Sequence, residues 1–393
     1  MRITWVTRSF LDYRIPVYAE LDRLCGNQLT LIYNAEVVPE RCRVRMAEVL
    51  GERSIAMTGE KRLTGQSSAP ISTTRHKGIR LPWQPGLIKA VLESKPDICV
   101  SDGFFQWTYA TLWMRFWHKT PHVMCYEPTK HTERNAQFYR TWYRRLASHW
   151  IDAICCNGTL CKEYCADVLH IPEEKLSTGQ MAADSEQLAD ECRSIPEHEA
   201  FAFRQELGLK DRVFLFVGRL VELKGLRPFL EAWKEAALKN ASFLCVGGGP
   251  LLDELRKYCE NNGISAYFTG EMDYRYVTRY YRAADVFVIP TLQDNWSLVV
   301  PEAMACGLPI ACSKYNGCWP ELVTSENGWV FDSLEKENTV RSLKLISALD
   351  TANLQKMGQC SRRIVEAFSP AKAALAIFKS CEFAINHGGK ITC

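Results

Sequence analysis

The feature that most constrains the fold is a regular alternation of short apolar runs with amphipathic stretches, which continues through both halves of the chain. Short apolar runs indicate buried strands, and the amphipathic stretches between them indicate helices that cover a sheet. This alternation is typical of βαβ units and therefore of parallel sheets. Strands are predicted at 2–7, 29–33, 98–101, 122–126 and 153–156 in the first half, and at 212–217, 242–246, 266–269, 286–290 and 310–313 in the second.

A polar stretch, residues 177–210, interrupts the alternation and predicts a linker followed by a short helix. A chain of 393 residues is long enough for two domains. We therefore predict an α/β fold in which two Rossmann-like domains, residues 1–180 and 181–368, face each other across a cleft. A last helix, residues 369–393, could cross back to the first domain. Ligands of such folds bind at the carboxyl ends of the strands.

Composition excludes several classes of protein. Apolar residues make up 47% of the chain and charged residues 24%, as in folded globular proteins. The net charge of +3 is too small to indicate nucleic acid as a partner. The N-terminus has no apolar run typical of a signal peptide, and no segment is long enough to span a bilayer, so we expect a cytoplasmic protein.

The chain has 17 cysteines, many of them inside apolar runs, which indicates buried thiols in a reducing compartment. Four of them, Cys155, Cys156, Cys161 and Cys165, are close in sequence. Their spacing contains no CxxC pair, and adjacent residues on a strand point to opposite faces. No metal site is predicted on this basis.

Two cations, Arg219 and Lys224, follow a buried strand and a glycine turn at Gly218. They are expected at the carboxyl end of the strand, beside the start of a helix. Fixed positive charge together with backbone amides at a helix N-terminus suits a diphosphate. The alternative is a pair of solvated surface cations.

A second glycine turn follows the next strand and contains Gly248 and Gly249. Glycine lets the backbone approach a ligand closely, but it also suits a tight turn. The turn lacks the GxGxxG spacing of a dinucleotide site. By itself, the turn leaves both functions open.

Two carboxylates, Asp294 and Glu302, lie in a loop and at the start of a predicted helix. Carboxylates accept hydrogen bonds from the hydroxyl groups of a ribose or hexose. Backbone amides at the start of that helix are placed to favour an anion. These amides belong to Ser297, Leu298 and Val299. The alternative for either carboxylate is a charge that caps the helix.

In this order the three motifs resemble those of the family 4 retaining glycosyltransferases, which have the GT-B fold. The diphosphate motif "GRLxxxKG" is matched by Gly218, Arg219, Lys224 and Gly225, and the motif "VGxGP" by Gly247, Gly249 and Pro250. The E-x7-E motif is matched by Asp294 through Glu302. The motifs that follow it are matched by Gly307, Pro309, Glu321, Asn327 and Gly328. Glu271 and Met272 occupy the position whose backbone meets the nucleotide base. Two positions depart from the family: Asp294 replaces a glutamate, and Trp296–Ser297 replaces an aromatic residue followed by glycine.

The resemblance implies transfer of a sugar from a nucleoside diphosphate sugar to a hydroxyl of a glycan or polyprenyl-linked acceptor, with retention of configuration at the anomeric carbon. The product would be a surface polysaccharide such as O-antigen, capsule or lipopolysaccharide. Residues 181–368 would bind the donor and residues 1–180 the acceptor. Arg219 and Lys224 would stabilise the leaving diphosphate. Glu302 would hold the ribose and Asp294 the donor hexose. No metal or other cofactor is expected, and a UDP-sugar is slightly favoured over a GDP-sugar. The alternatives are a sugar-nucleotide epimerase of the same fold and a non-catalytic protein that binds nucleotide sugars or glycans.

Four residues of the first half follow predicted strands and are candidates for the acceptor side: Arg14, Asp102, Glu127 and His131. Residues at such loop positions often carry function. Each could orient or deprotonate an acceptor.

Aromatic and basic residues are interleaved over residues 104–150. This pattern suits an anionic membrane interface, and it equally suits an aromatic core with arginines that reach to the surface. Because many members of the family glycosylate lipid-linked intermediates, the resemblance favours a peripheral protein on the inner face of the plasma membrane.

Overall fold

The computed structural model describes residues 1–62 and 82–388, which form two compact units. Unit 1 comprises Met1–Ala182 and Pro370–Cys393, and unit 2 comprises Ala183–Ser369. Each unit is built on a parallel sheet covered by helices, so the predicted α/β class with two Rossmann-like domains is confirmed.

In unit 1, a seven-stranded parallel sheet carries the core, and a short antiparallel ladder lies apart from it. The strands are β1 (Ile3–Val6), β2 (Leu29–Asn34), β3 (Ser54–Met57), β4 (Lys61–Arg62), β5 (Pro82–Trp83), β6 (Ile98–Asp102), β7 (His122–Tyr126), β8 (Ala153–Cys156) and β9 (Leu176–Thr178). The helices are α1 (Ile15–Leu24), α2 (Glu40–Leu50), α3 (Leu87–Glu93), α4 (Thr108–His118), α5 (Phe138–Ser148) and α6 (Thr159–Glu163). The sheet order is β3-β2-β1-β6-β7-β8-β9.

Unit 2 has a six-stranded parallel sheet of order β12-β11-β10-β13-β14-β15. Its strands are β10 (Arg212–Val217), β11 (Ala241–Val246), β12 (Ala266–Phe268), β13 (Val286–Ile289), β14 (Ile310–Ser313) and β15 (Gly328–Phe331). Its helices are α7 (Glu186–Ser194), α8 (Glu197–Glu206), α9 (Leu226–Ala236), α10 (Leu252–Asn261), α11 (Val277–Arg282), α12 (Val299–Ala305), α13 (Trp319–Leu322), α14 (Lys336–Ser347) and α15 (Thr351–Val365).

The polar stretch before β10 differs from the prediction of a linker with one short helix. It holds both α7 and α8, because each helix buries a few apolar side chains among its charged ones. Leu188 and Cys192 of α7 are buried, and so is Phe203 of α8. Amphipathic helices with so few apolar residues are easily read as linker from sequence.

The last helix, α16 (Pro370–His387), returns to unit 1 and packs on α1 and β8. Its buried face is formed by small and apolar residues, among them Ala373, Ile377, Cys381 and Ala384. Residues 389–393 of the predicted helix lie outside the described residues. In the described ranges no helix has the length and apolar character needed to cross a membrane.

Candidate active site

The loops after three neighbouring strands of unit 2 interlock through glycines. Gly247, after β11, forms a bridge with Gly270, after β12. A Cβ atom on Gly247 would lie 2.2 Å from the carbonyl oxygen of Gly218, which follows β10. Likewise, a Cβ on Gly249 would lie 2.5 Å from the Leu220 carbonyl oxygen, and one on Gly248 would lie 3.0 Å from Glu271. The close approach of these loops therefore requires glycine, and contact of Gly248 and Gly249 with a donor stays a prediction.

Lys224 and Asp294 form an ion pair at the carboxyl edge of this sheet. Lys224 ends a short 3-10 helix ahead of α9, and its Nζ lies 2.5 Å from Oδ2 of Asp294. Ser297 Oγ donates to the same oxygen at 2.6 Å, and the Trp296 amide donates to Oδ1 at 3.2 Å. The carboxylate is thus fixed by three donors, and it fixes Lys224 in turn.

Ser297 connects this ion pair to the interior of unit 2. Its hydroxyl accepts a hydrogen bond of 2.9 Å from the side-chain amide of the buried Asn316. Asp294 and Ser297, the two departures from the family pattern, therefore lie in one hydrogen-bonded chain, in which the serine hydroxyl supports the shorter carboxylate. Asn316 was not identified from sequence, because nothing local links it to Asp294.

Arg219 is exposed at the carboxyl end of β10. Within the described residues it forms no ion pair, whereas Lys224 is paired with Asp294. Its positive charge is therefore not offset by a carboxylate at this edge of the sheet.

Glu302 lies in α12 beside two tyrosines. The Tyr281 hydroxyl donates to Oε2 of Glu302 at 3.0 Å. Burial raises the pKa of the Glu302 carboxyl to about 7. Hydrogen bonds from Tyr274 and Tyr281 lower this pKa and so oppose part of the effect of burial. A carboxyl that titrates near neutrality is common in functional sites. Tyr281 belongs to no motif, so sequence reasoning did not find it.

The other donor-side residues lie beside this group. Ser297, Leu298 and Val299 precede or open α12, and Glu271 and Met272 follow β12. Their contacts with a nucleotide stay predictions.

In unit 1, Arg14 is buried and holds the segment that follows β9. Its guanidinium donates two hydrogen bonds of 2.8 Å to Gln180, one to the carbonyl and one to the side-chain oxygen. It also lies 3.6 Å from Asp102, which accepts a hydrogen bond from the Trp5 indole at 3.1 Å. These contacts give Arg14 a structural function, and contact with an acceptor stays a prediction.

Three of the four acceptor-side candidates, Arg14, Asp102 and Glu127, influence the ionisation of Tyr13 through their charges. Burial raises the pKa of Tyr13 to about 12; the Arg14 charge lowers it, and the charges of Glu127 and Asp102 raise it further. Burial also raises the pKa of Asp102, against the effect of Arg14. His131 lies in the loop after β7, where its carbonyl accepts a hydrogen bond from Arg134. Tyr13 is therefore a further candidate on the acceptor side.

The aromatic and basic segment divides into a buried and an exposed part. Trp107 is fully buried, and Arg115 and Arg144 form buried ion pairs with Asp152 and Glu133 at 2.8 and 2.7 Å. These residues therefore support the alternative of an aromatic core with paired arginines. The exposed apolar side chains form what we call the α4–α5 patch: Phe116, Trp117, Phe138, Trp142 and Leu146.

Comparison with protein families matches both halves of the chain. Residues 29–184 match the model described as Glycosyltransferase Family 4, and residues 198–363 match that of Glycosyl transferases group 1. The chain belongs to the family 4 glycosyltransferases. The predicted family and the GT-B fold are thereby confirmed.

Individual relatives are similar over part of their length. A sulfoquinovosyl transferase of Arabidopsis thaliana is 24% identical over 88% of this chain and 65% of its own length. A UDP-Gal:alpha-D-GlcNAc-diphosphoundecaprenol alpha-1,3-galactosyltransferase of Escherichia coli is 26% identical over 64% of this chain and 65% of its own. The alignments of the first curated relatives span between 36% and 65% of those proteins. Among solved structures, Anabaena HepE in complex with UDP superimposes on this chain with a TM-score of 0.71 at 13% identity. The match covers 97% of this chain and 100% of that one.

Proposed function

We propose that this chain is a retaining glycosyltransferase that moves a hexosyl group from a nucleoside diphosphate sugar to a hydroxyl of a lipid-linked or free glycan. The observation that carries the proposal is the set of side chains at one edge of the unit 2 sheet. Arg219 and Lys224 follow β10, and Asp294 and Glu302 follow its neighbour β13. Cations that could bind a diphosphate and carboxylates that could bind sugar hydroxyls therefore lie at the same edge of the sheet.

Each of these groups has a distinct task in the transfer. As the bond to the donor sugar breaks, negative charge grows on the diphosphate, and Lys224 and Arg219 stabilise it electrostatically. Because the ion pair with Asp294 already fixes Lys224, little reorganisation is needed at that moment. Glu302 accepts hydrogen bonds from the ribose hydroxyls when it is ionised.

Asp294 retains limited capacity for a sugar contact. A carboxylate offers about four acceptor sites. Lys224, Ser297 and the Trp296 amide occupy three of these sites. The site that remains, on Oδ1, would accept one hydroxyl of the donor hexose.

A UDP-sugar as donor and a polyprenyl-linked acceptor fit this proposal. A relative named for UDP-Gal and a diphosphoundecaprenol acceptor supports both, and a similar fold is known in complex with UDP. The product would be a surface polysaccharide such as O-antigen, capsule or lipopolysaccharide, made on the cytoplasmic face of the membrane.

The test is incubation of the purified chain with labelled UDP- and GDP-sugars, with and without a polyprenyl-diphosphate glycan. We expect label in the acceptor, with the anomeric configuration of the donor retained as seen by NMR. Epimerised donor without transfer would indicate the epimerase. Donor that binds but stays unchanged with every acceptor would indicate a binding protein. Either result would overturn the proposal.

We further propose that the α4–α5 patch rests on an anionic membrane. Phe138, Trp142 and Leu146 are spaced by four residues along α5, so they form one stripe on the helix. Phe138 is 85% exposed and Trp142 is 63% exposed, and neighbouring apolar side chains exposed in this way often mark an interaction surface. Arg145 on α5 and Lys119 at the end of α4 are exposed, and Lys119 Nζ lies 5.8 Å from the centre of the Phe116 ring. Aromatic side chains with flanking cations are typical of proteins that lie at an anionic interface.

The substitution Phe138→Ala/Trp142→Ala should reduce co-sedimentation with phosphatidylglycerol vesicles at low salt by about tenfold or more, because each ring buries apolar area in the interface. Binding by the unaltered chain should weaken as salt rises. Phe201→Ala is the matched control, since Phe201 is 61% exposed but lies in unit 2. Equal vesicle binding by all three proteins would contradict the proposal.

A further inference from the structure

Three cysteines of unit 1 converge although their spacing in sequence did not indicate a site. Cys156 ends β8, Cys161 lies in α6, and Cys165 lies in the single π-helical turn that follows α6. Their sulfur atoms lie within 4.8 Å of one another, and those of Cys156 and Cys165 are 4.0 Å apart. Cys155 packs on the opposite face of the sheet, as alternation along a strand predicts. The thiols of Cys156, Cys161 and Cys165 face one point.

This spacing suits a single ion bound by sulfur. A zinc–thiolate bond is about 2.3 Å long, so three sulfurs around one ion lie about 3.8–4.0 Å apart. The observed separations need adjustments of less than about 1 Å to reach that arrangement. The π-helical turn contributes directly, because a π-turn changes which side chains share a helix face and is common at functional sites.

The surroundings of the thiols suit anionic sulfur. Arg144 is buried, and its Nη1 bonds Glu133 and Tyr164, but its Nε has no hydrogen-bond partner within the described residues. The buried hydroxyl of Tyr126 likewise has no partner there. Both groups lie near enough to the Cys165 sulfur to interact with it electrostatically. Buried donors without partners are rare in folded proteins, and a thiolate would accept from them.

We propose that Cys156, Cys161 and Cys165 bind one soft metal ion of the zinc class as thiolates. Three S–H bonds break, three metal–sulfur bonds form, and three protons pass to solvent. With a divalent ion the group carries one negative charge, which lies beside the Arg144 guanidinium. The ion would tie the end of β8 to α6 and the turn after it, and so would stabilise this part of unit 1 rather than take part in sugar transfer.

The test uses the full-length chain under a reductant without thiols. After incubation with Zn²⁺ and gel filtration, we expect about one zinc per chain by mass spectrometry. Titration with Cd²⁺ should give a sulfur-to-cadmium charge-transfer band that saturates at about one equivalent. Both signals should be lost in Cys161→Ser and kept in Cys155→Ser, the matched control one residue from Cys156 on the opposite face of the sheet.

Metal binding by the unaltered chain is sufficient to test the proposal. Absence of bound zinc together with absence of the cadmium band would overturn the proposal, whatever the variants do. A band kept in full by a folded Cys161→Ser chain, checked by circular dichroism, would also overturn it. If that variant does not fold, Cys165→Ser replaces it in the same comparison.

Discussion

Lys224→Ala should reduce kcat/KM for sugar transfer by about 100- to 1000-fold, equivalent to about 2.7–4 kcal/mol of transition-state stabilisation. The ammonium group of Lys224 is held by Asp294 at the edge where β10 ends. Its charge would act on the leaving diphosphate, and no other described cation is fixed by the Asp294 carboxylate. The measurement is the initial rate of label transfer at several donor concentrations. Lys234→Ala is the matched control, because Lys234 is an exposed lysine of α9 in the same unit.

Lys224→Ala also leaves the Asp294 carboxylate without its cation, so a loss of folding could imitate a loss of catalysis. The double variant Lys224→Ala/Asp294→Asn separates the two. With the charge of Asp294 removed, the unfolding midpoint should recover, because an uncompensated, partly buried charge is no longer present. Activity should not recover. A double variant that regains both stability and near-normal transfer would contradict the assigned role of Lys224.

The fold was predictable from the sequence where strands are central to a sheet. β10 and β14 have the predicted bounds, because both strands are buried almost throughout and read as short apolar runs. β3 and β15, by contrast, were not predicted, and both lie at the edge of their sheets. An edge strand has a neighbouring strand on one side only, so part of it stays exposed even when its residues are apolar; Trp329 and Val330 of β15, for example, are not buried.

The candidate site was predictable only where its residues belong to a local motif. Arg219, Lys224 and Glu302 follow strand ends in a fixed order, and parallel strands bring their carboxyl ends to one edge. Tyr281 and Asn316 reach the site from elements that no motif connects to it. Similarly, the ion pair of Arg115 with Asp152 joins residues from separate elements, so a sequence pattern could not separate buried arginines from those at the surface.

The affinity for a nucleoside diphosphate should fall as the pH is lowered through about 7, because Glu302 then takes up a proton. A protonated carboxyl loses acceptor sites for the ribose hydroxyls. Affinity for UDP, with GDP measured in parallel, should therefore fall by up to about tenfold per pH unit below that point. Isothermal titration calorimetry over about pH 5.5–8 measures this affinity. The Glu302→Gln variant shows how much of its pH dependence comes from titration of the nucleotide itself.

In the ligand-free protein, the protonation of Glu302 should also make the free energy of unfolding depend on pH. The carboxyl pKa is about 4.3 in an unfolded chain and is raised to about 7 by burial in the folded protein. Between these values the folded state holds a proton that the unfolded chain has released, so the free energy of unfolding falls as pH rises through this window. Denaturant unfolding of Glu302→Gln should lack this part of the slope.

Tyr281→Phe should shift both profiles to higher pH, because it removes a hydrogen bond that lowers the pKa of Glu302. Loss of a purely structural contact would instead lower stability equally at every pH. The shift should disappear in Tyr281→Phe/Glu302→Gln, which has no carboxyl to titrate. If the unaltered chain and Glu302→Gln give parallel affinity curves, Glu302 does not hold the ribose as a carboxylate, and the donor site must be centred on the cations after β10 alone.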